Sequence, residues 1–82
     1  MATEQQIQSK LIKKLESEGY YVIKLVKTNK NGIPDLIAIP KGSDVQFIEV
    51  KRPGGKASEL QKYRMKELEK HNLNVRISYG DE

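Results

Sequence analysis

The sequence predicts a small α/β domain in which two helices pack on a mixed sheet, in the order α-β-β-β-α-β. Two segments with a helical apolar period each begin with a capping signature, and four short runs rich in aliphatic, aromatic and β-branched residues accompany them. The 82 residues suffice for one domain, which we expect to span residues 1–82. A chain this small buries only about 60% of its unfolded surface, so its core is modest.

The first helix is predicted to begin at Thr3, which forms a capping box with Gln6, and to end at Gly19. Its apolar stripe consists of Ile7, Leu11 and Leu15. Glu4 falls within this stripe at about 100° per residue, so its side chain should face the sheet. A carboxylate in that position either complements the helix dipole or reaches an active site.

Strands are predicted at residues 20–26, 34–39, 45–51 and 74–79, where β-branched, aromatic and aliphatic residues cluster. A polar loop at 27–32 that ends in Asn-Gly connects the first two strands. A Lys-Gly-Ser turn that ends at Ser43 connects the next two.

The second helix is predicted to run from Ser58 to about His71. Its predicted buried face consists of Leu60, Gln61, Met65 and Leu68. Gln61 is also three residues after Ser58, so a capping box alone would explain it. His71 lies where an imidazole can cap the last carbonyls, and we assign it no catalytic role.

Asp35 and Glu49 stand at the edges of apolar runs that are predicted to be buried strands. Burying an ionised group is costly unless the group is paired or binds a metal. Side chains alternate along a strand, so Glu49 and Lys51 project from one side and Val50 from the other. If the two strands pair, the carboxylates converge beside Lys51, which is the minimum equipment for metal-assisted phosphodiester hydrolysis. A solvated salt bridge on a hairpin is the alternative.

The net charge of +4 lies entirely between residues 20 and 56. That segment carries seven basic and three acidic side chains, whereas the segments on either side are neutral. A basic field around the candidate carboxylates suits a polyanionic substrate. The same lysines could instead solubilise strand edges and turns.

A basic, glycine-rich turn follows Lys51. Four of its residues can cradle a phosphate ahead of the second helix: Arg52, Gly54, Gly55 and Lys56. A strand-to-helix turn that needs flexible residues explains the same sequence, and both can hold. The tyrosines are predicted to be packing or interface residues rather than platforms for base stacking; they are Tyr20, Tyr21, Tyr63 and Tyr79.

The composition narrows the function classes further. The chain has no Cys, which excludes disulfides, thiolate chemistry and Cys-based zinc sites. The first residues lack the basic-then-apolar pattern of a signal peptide, and the longest strictly aliphatic runs span four residues. We therefore expect a soluble, intracellular or cytoplasmic protein of phage or bacterial type, with no membrane association.

Three stretches carry a combined motif: Gly32-Ile33-Pro34-Asp35-Leu36, Phe47-Ile48-Glu49-Val50-Lys51-Arg52-Pro53-Gly54 and Ser58-x-x-Gln61. In this order they resemble the VRR-NUC family of virus-type replication-repair nucleases, within the PD-(D/E)xK nuclease superfamily. Glu4 lies where that family places an acidic residue in its first helix, so the resemblance spans essentially the whole chain. It implies a restriction-endonuclease-like αβββαβ core and a stand-alone module similar to Holliday-junction resolvases.

The resemblance also implies a Mg²⁺-dependent endonuclease in which Mn²⁺ can substitute. The implied metal ligands are Asp35, Glu49, the backbone carbonyl of Val50 and, as a further outer ligand, Glu4. Lys51 would orient and help deprotonate the attacking water, and Gln61 would support Lys51 or the water.

The predicted partner is DNA, in particular branched DNA such as Holliday junctions, and a homodimer acting in DNA repair is expected. The predicted DNA-binding residues are Lys30, Arg52, Gly54, Gly55 and Lys56. Two alternatives stay open: a catalytically idle nucleic-acid-binding module, and a nuclease subunit that is active only beside a replication or repair partner.

Overall fold

The computed structural model describes residues 2–42 and 44–82; Met1 and Ser43, the last residue of the predicted Lys-Gly-Ser turn, lie outside the described residues. The predicted α-β-β-β-α-β order is confirmed. In chain order the elements are helix α1 (Glu4–Ser17), strands β1 (Tyr21–Lys24), β2 (Leu36–Ile39) and β3 (Gln46–Val50), helix α2 (Glu59–Lys70) and strand β4 (Asn74–Ser78). Neither helix among the described residues is long and apolar enough to cross a membrane.

The four strands form one mixed sheet in the order β1-β2-β3-β4. The first two pairs are antiparallel, with Ile23 opposite Ile37 and Ile37 opposite Phe47. β3 and β4 are parallel, with Glu49 opposite Ile77. Helix α2 carries the chain back to the end of the sheet where β3 begins, so β4 runs in the same direction as β3. Glu49 therefore lies near the carboxyl end of the first strand of a β-α-β unit.

The ends of α1 follow from its local sequence. Thr3 Oγ1 accepts from the Gln6 N–H at 3.1 Å and Gln6 Oε1 accepts from the Thr3 N–H at 2.9 Å, which completes the predicted capping box. At the other end Gly19 adopts φ +94°, and Tyr20 donates its N–H to the Leu15 carbonyl at 3.0 Å. This is a Schellman motif, so Gly19 is the stop that the sequence predicts.

The strands are shorter than predicted. β1 begins after Tyr20 because the Tyr20 N–H completes the helix terminus. It ends before Val26, whose side chain is 84% exposed, although Leu25 still donates to the Asp35 carbonyl at 2.8 Å. β2 begins at Leu36 rather than at Pro34, which has no N–H for a ladder. β3 and β4 are trimmed by one or two residues in the same way.

The core lies between α1 and one face of the sheet. Its buried members are Ile7, Leu11, Leu15, Leu36, Ala38, Ile48 and Val50. The three residues from α1 are the predicted stripe, and the four strand residues alternate along β2 and β3, as one face of a sheet requires. Each large side chain in this set contributes roughly 1.5–3 kcal/mol through burial.

The prediction of a buried face on α2 is wrong for Leu60, which is 42% exposed, and no residue of this helix is fully buried. The helix packs mainly against β4 at the edge of the sheet, so Met65 and Leu68 are only half-buried. Leu60 instead covers Gly32 in the loop that precedes β2.

Candidate active site

Strand pairing brings Asp35 to the carboxyl end of β3. Asp35 immediately precedes β2, and its Oδ2 accepts a hydrogen bond from the Val50 N–H at 2.8 Å. This bond crosses between the strands and orients the carboxylate. Val50 itself packs its side chain into the core, so the peptide that holds Asp35 belongs to one of the most buried residues.

Glu49 is the most buried ionisable residue of the site, with 2% of its surface exposed. Its Oε2 accepts from Gln61 Nε2 at 3.1 Å and lies 3.6 Å from Lys51 Nζ. Its Oε1 is buried and has no hydrogen-bond partner among the described residues. Burial, and then the negative charge of Asp35, raise the pKa of Glu49 to about 7, and the charge of Lys51 acts in the opposite direction.

Lys51 lies on the same side of the chain as Glu49, as the alternation along the strand predicts. Its side chain is only 12% exposed, and its N–H donates to the Ser78 carbonyl of β4 at 2.9 Å. The backbone of Lys51 is therefore fixed to β4, and its ammonium group lies beside the Glu49 carboxylate.

Gln61 forms the predicted capping box and also reaches the site, where it contacts Glu49. Its Oε1 accepts from the Ser58 N–H at 2.8 Å, and its own N–H donates to Ser58 Oγ at 3.1 Å, so the capping box of α2 is present. Because the cap requires the amide oxygen to face Ser58, the amide nitrogen faces Glu49. The cap thus determines which end of Gln61 reaches the site.

Glu4 lies at the border of the site. Its Oε2 accepts a long hydrogen bond, 3.4 Å, from the N–H of Arg52. Within residues 2–42 and 44–82, no three or more His, Cys, Asp or Glu side chains are grouped so that they could hold a metal. The structure therefore brings together Asp35, Glu49, Lys51 and Gln61, and it does not add Glu4 to the two carboxylates.

The family model described as "VRR-NUC domain" matches residues 2–82 of this chain. The chain belongs to the VRR-NUC domain family. A solved structure titled "VRR_NUC domain" has the same fold, with a TM-score of 0.82 and 29% sequence identity over 95% of this chain and 88% of that chain. A comparison with curated protein sequences returns no match. VRR-NUC domains are nuclease domains, so membership of the family supports a nuclease function for this chain.

The turn that follows Lys51 in this VRR-NUC domain has the conformation that its glycines favour. Gly54 adopts φ +83°, and the N–H of Gly55 donates to the Arg52 carbonyl at 2.9 Å. The Gly55 N–H is therefore used within the turn, whereas the side chains of Arg52 and Lys56 are exposed and can meet a phosphate. Lys30 is also exposed, and it lies in the loop before β2, N-terminal to Asp35.

Two polar residues of the VRR-NUC domain were not singled out from the sequence. Arg64 Nε donates to the Asn31 carbonyl at 2.8 Å and so ties α2 to the loop that leads to Asp35. Gln8 is 8% exposed, and its Oε1 has no partner among the described residues. Their spacing is the signal that could have found them, since Gln8 follows Glu4 by one helical turn and Arg64 follows Gln61 by three residues.

Proposed function

We propose that this VRR-NUC domain is a metal-dependent endonuclease that hydrolyses phosphodiester bonds in branched DNA such as Holliday junctions. The observation that carries the proposal is the Glu49 carboxylate, buried beside Asp35 and Lys51 with Oε1 unpartnered among the described residues. A buried carboxylate oxygen without a partner is costly unless the group is protonated or a cation binds it. Hard oxygen ligands of this kind are those that Mg²⁺ prefers.

The residues present fit such an ion. The groups that would hold Mg²⁺, or Mn²⁺ in its place, are Asp35, Glu49 and the carbonyl of Val50, with Glu4 acting through water. Mg²⁺ usually keeps several of its waters, so one or two carboxylates suffice. When bound, the ion polarises the phosphoryl oxygen and lowers the pKa of a coordinated water.

The side chains around the carboxylates supply the remaining functions. Lys51, 3.6 Å from Glu49 Oε2, would orient the attacking water, favour loss of its proton through the positive charge of the ammonium group, and stabilise negative charge on the phosphate. Gln61 would hold the Glu49 carboxylate in position beside Lys51, because the oxygen of the Gln61 amide is fixed by the helix cap. The basic segment between residues 20 and 56 would attract the DNA backbone.

A homodimer is the second part of the proposal. One domain has one pair of carboxylates and makes one cut, whereas resolving a four-way junction needs two symmetric cuts. A two-fold dimer supplies them. Support comes from β1, an edge strand whose Tyr21 and Ile23 are 69% and 40% exposed. An apolar edge of this kind calls for a covering partner.

The deciding experiment uses a panel of end-labelled four-way junctions, flaps, nicked duplexes and linear duplexes. Each is incubated with the protein in Mg²⁺, in Mn²⁺ and in chelator. We expect cleavage of branched DNA in either metal and none in chelator. Binding of all substrates with no cleavage in any metal would identify an idle binding module. Cleavage that requires an added helicase or other replication protein would identify a partner-dependent subunit.

A further inference from the structure

A groove lies between α2 and the loop of residues 25–34 that connects β1 to β2. It consists of a hollow of about 430 Å³ between the helix and the loop and an adjoining hollow of about 280 Å³ that is lined by the loop alone; the two share Lys30 and Ile33. The wall on the helix side is formed mainly by Tyr63, Arg64, Glu67, Lys70 and His71. We call this feature the α2–loop groove.

The groove is held together by specific contacts, and both of its walls adjoin residues of the candidate site in the chain. Arg64 bonds the Asn31 carbonyl at 2.8 Å, and Leu60 covers Gly32 so closely that a Cβ there would lie 2.7 Å from Leu60 Cγ. The same loop continues directly into Asp35, and Leu60 precedes Gln61. Along α2, the ten residues from Gln61 to the far end of the groove span about 15 Å, or roughly four stacked nucleotides.

The charge of the α2–loop groove suits an anion. Its four cationic side chains are Lys27, Lys30, Arg64 and Lys70. They face one carboxylate, Glu67, which Arg64 binds at 2.9 Å. The hydrogen bond from Arg64, and more weakly the charges of Arg64, Lys30 and Lys70, lower the pKa of Glu67. Lys27, Lys30 and Lys70 are all exposed, so their ammonium groups can reach a ligand.

Tyr63 gives the groove a second property. Its side chain is 58% exposed, and the Arg64 guanidinium lies 5.6 Å from the centre of its ring. An exposed aromatic ring within a basic groove is the combination that binds single-stranded nucleic acid, because any base can stack on the ring while the phosphates meet the cations. Hollows of a few hundred Å³ suit single nucleotides rather than a double helix.

We propose that the α2–loop groove binds an unpaired DNA strand, with a base stacked on Tyr63 and phosphates bound by Lys30 and Lys70. The inference rests on the proposed nuclease function, because it assigns a path for a strand that leads away from the cleaved phosphate. It also gives Tyr63 a stacking role that its sequence position did not indicate. Such a strand is available at a flap, where one strand leaves the duplex unpaired.

The test measures binding of a fluorescent ten-nucleotide oligothymidylate to the full chain in chelator, where no cleavage interferes. We expect Tyr63→Ala to weaken binding roughly 5- to 150-fold. Tyr63→Phe, which keeps the ring, should bind within about twofold of wild type on the same argument. Lys30→Ala/Lys70→Ala should reduce the slope of log affinity against log salt by about 1.4. The matched control Lys62→Ala/Lys66→Ala, which removes two lysines of the same helix outside this groove, should change neither quantity.

Three outcomes would overturn the proposal. The first is wild-type affinity in both Tyr63→Ala and Lys30→Ala/Lys70→Ala. The others are an equal loss of affinity in the control variant, and an equal loss when the groove variants bind a ten-base-pair duplex instead of the single strand. Thermal unfolding of each variant by circular dichroism checks that the fold is intact. Failure of the groove is distinguishable from failure of the nuclease. If the protein cleaves branched DNA and the groove variants bind oligothymidylate normally, only the groove proposal is refuted. If binding depends on the groove but no metal supports cleavage, only the nuclease proposal is refuted.

Discussion

The Glu49 carboxyl group is almost completely buried and lies beside charged and polar side chains. Burial and these neighbours together determine the pKa of the group. Its pKa is raised from 4.5 to about 7 by burial and by the charge of Asp35, in spite of Lys51. Between these pH values the folded protein retains a proton that the unfolded chain releases. The stability gained from this proton is fully present below pH 4.5 and is lost as the pH rises through about 7.

We therefore expect the metal-free protein to be more stable at pH 5.5 than at pH 8, by about 2 kcal/mol from Glu49. Glu49→Gln removes the titrating group and keeps an oxygen acceptor for Gln61, so it should lack this component. Urea unfolding in chelator at the two pH values measures the difference. All other ionisable groups are present in both proteins, so the same pH dependence in both would contradict the raised pKa of Glu49.

Asp35 and Lys51 should separate metal binding from chemistry. Asp35→Ala removes a proposed oxygen ligand and should weaken Mn²⁺ binding together with cleavage. Lys51→Ala should leave Mn²⁺ affinity nearly unchanged but slow cleavage about 10²- to 10⁴-fold, since it removes only the group that we propose acts on the water and the phosphate. Calorimetric titration with Mn²⁺ and single-turnover cleavage measure the two effects. Lys41→Ala, in an exposed turn, is the control. Full cleavage by Asp35→Ala or Lys51→Ala would refute the site assignment.

At the scale of elements, the features that could be predicted are those whose partners are close in sequence. The capping boxes of Thr3 and Ser58 each join residues three positions apart, so both partners can be recognised in one short stretch of sequence. The end of β1 depends instead on where the loop to β2 leaves the sheet, and the apolar pattern through Val26 gives no sign of it. The exposure of Leu60 depends on how far α2 extends beyond the sheet, which helical periodicity does not encode.

The same distinction applies to the site. Asp35, Glu49 and Lys51 could be placed together because strand alternation and the pairing of neighbouring strands suffice. The contact between Glu4 and Arg52 joins residues 48 apart in the chain, and the contact between Arg64 and Asn31 joins residues 33 apart. Such pairs result from the packing of whole elements, so a single sequence shows only the polar residue and not its partner.

The packing of α2 on the loop before β2 should depend on Gly32. Gly32 adopts φ +80°, and a Cβ there would meet Leu60 Cγ at 2.7 Å, whereas Gly54 has φ +83° and open space around it. Gly54→Ala should therefore cost about 1–2 kcal/mol through its backbone conformation alone. Gly32→Ala should cost about 1–3 kcal/mol more because of overpacking.

Urea unfolding of both variants measures this difference. Adding Gly32→Ala to the Leu60→Ala variant should lower the free energy of unfolding much less than adding it to wild type, because the clashing atoms of Leu60 are then absent. Equal destabilisation by Gly32→Ala and Gly54→Ala would show that Leu60 does not pack as described.

For the molecule as a whole, the concentration of positive charge between residues 20 and 56 predicts how it binds duplex DNA. Affinity should fall steeply with salt and vary little with base sequence. Arg52→Ala/Lys56→Ala should reduce the slope of log affinity against log salt by about 1.8, since each removed phosphate contact contributes about 0.9. Fluorescence anisotropy in chelator measures it. Lys10→Ala/Lys13→Ala, on the exposed side of α1, is the control with the same change in charge. An unchanged slope in the first variant would contradict this electrostatic model.

The exposed apolar edge of the sheet leads to the last prediction, which concerns assembly. Tyr21 and Ile23 belong to the edge strand β1 and project from the side opposite the α1 core, beside Ile37 and Ile39 of β2. α2 lies toward β4 at the other edge, so it leaves these side chains uncovered. A chain of 82 residues has a small core, and a second copy on this face would extend it.

We therefore expect light scattering at tens of micromolar to give twice the chain mass of 9.4 kDa, and paired symmetric cuts in a four-way junction. Tyr21→Lys should produce a monomer that nicks junctions singly, because a charge on an apolar interface opposes pairing. Tyr79→Lys, which follows β4 at the opposite edge and replaces the same residue type, should remain dimeric. A wild-type monomer that cuts linear duplex as readily as junctions would refute the dimer and the preference for branched DNA together. A dimer that withstands Tyr21→Lys would refute only this interface, because the two-fold arrangement of the sites would still be present.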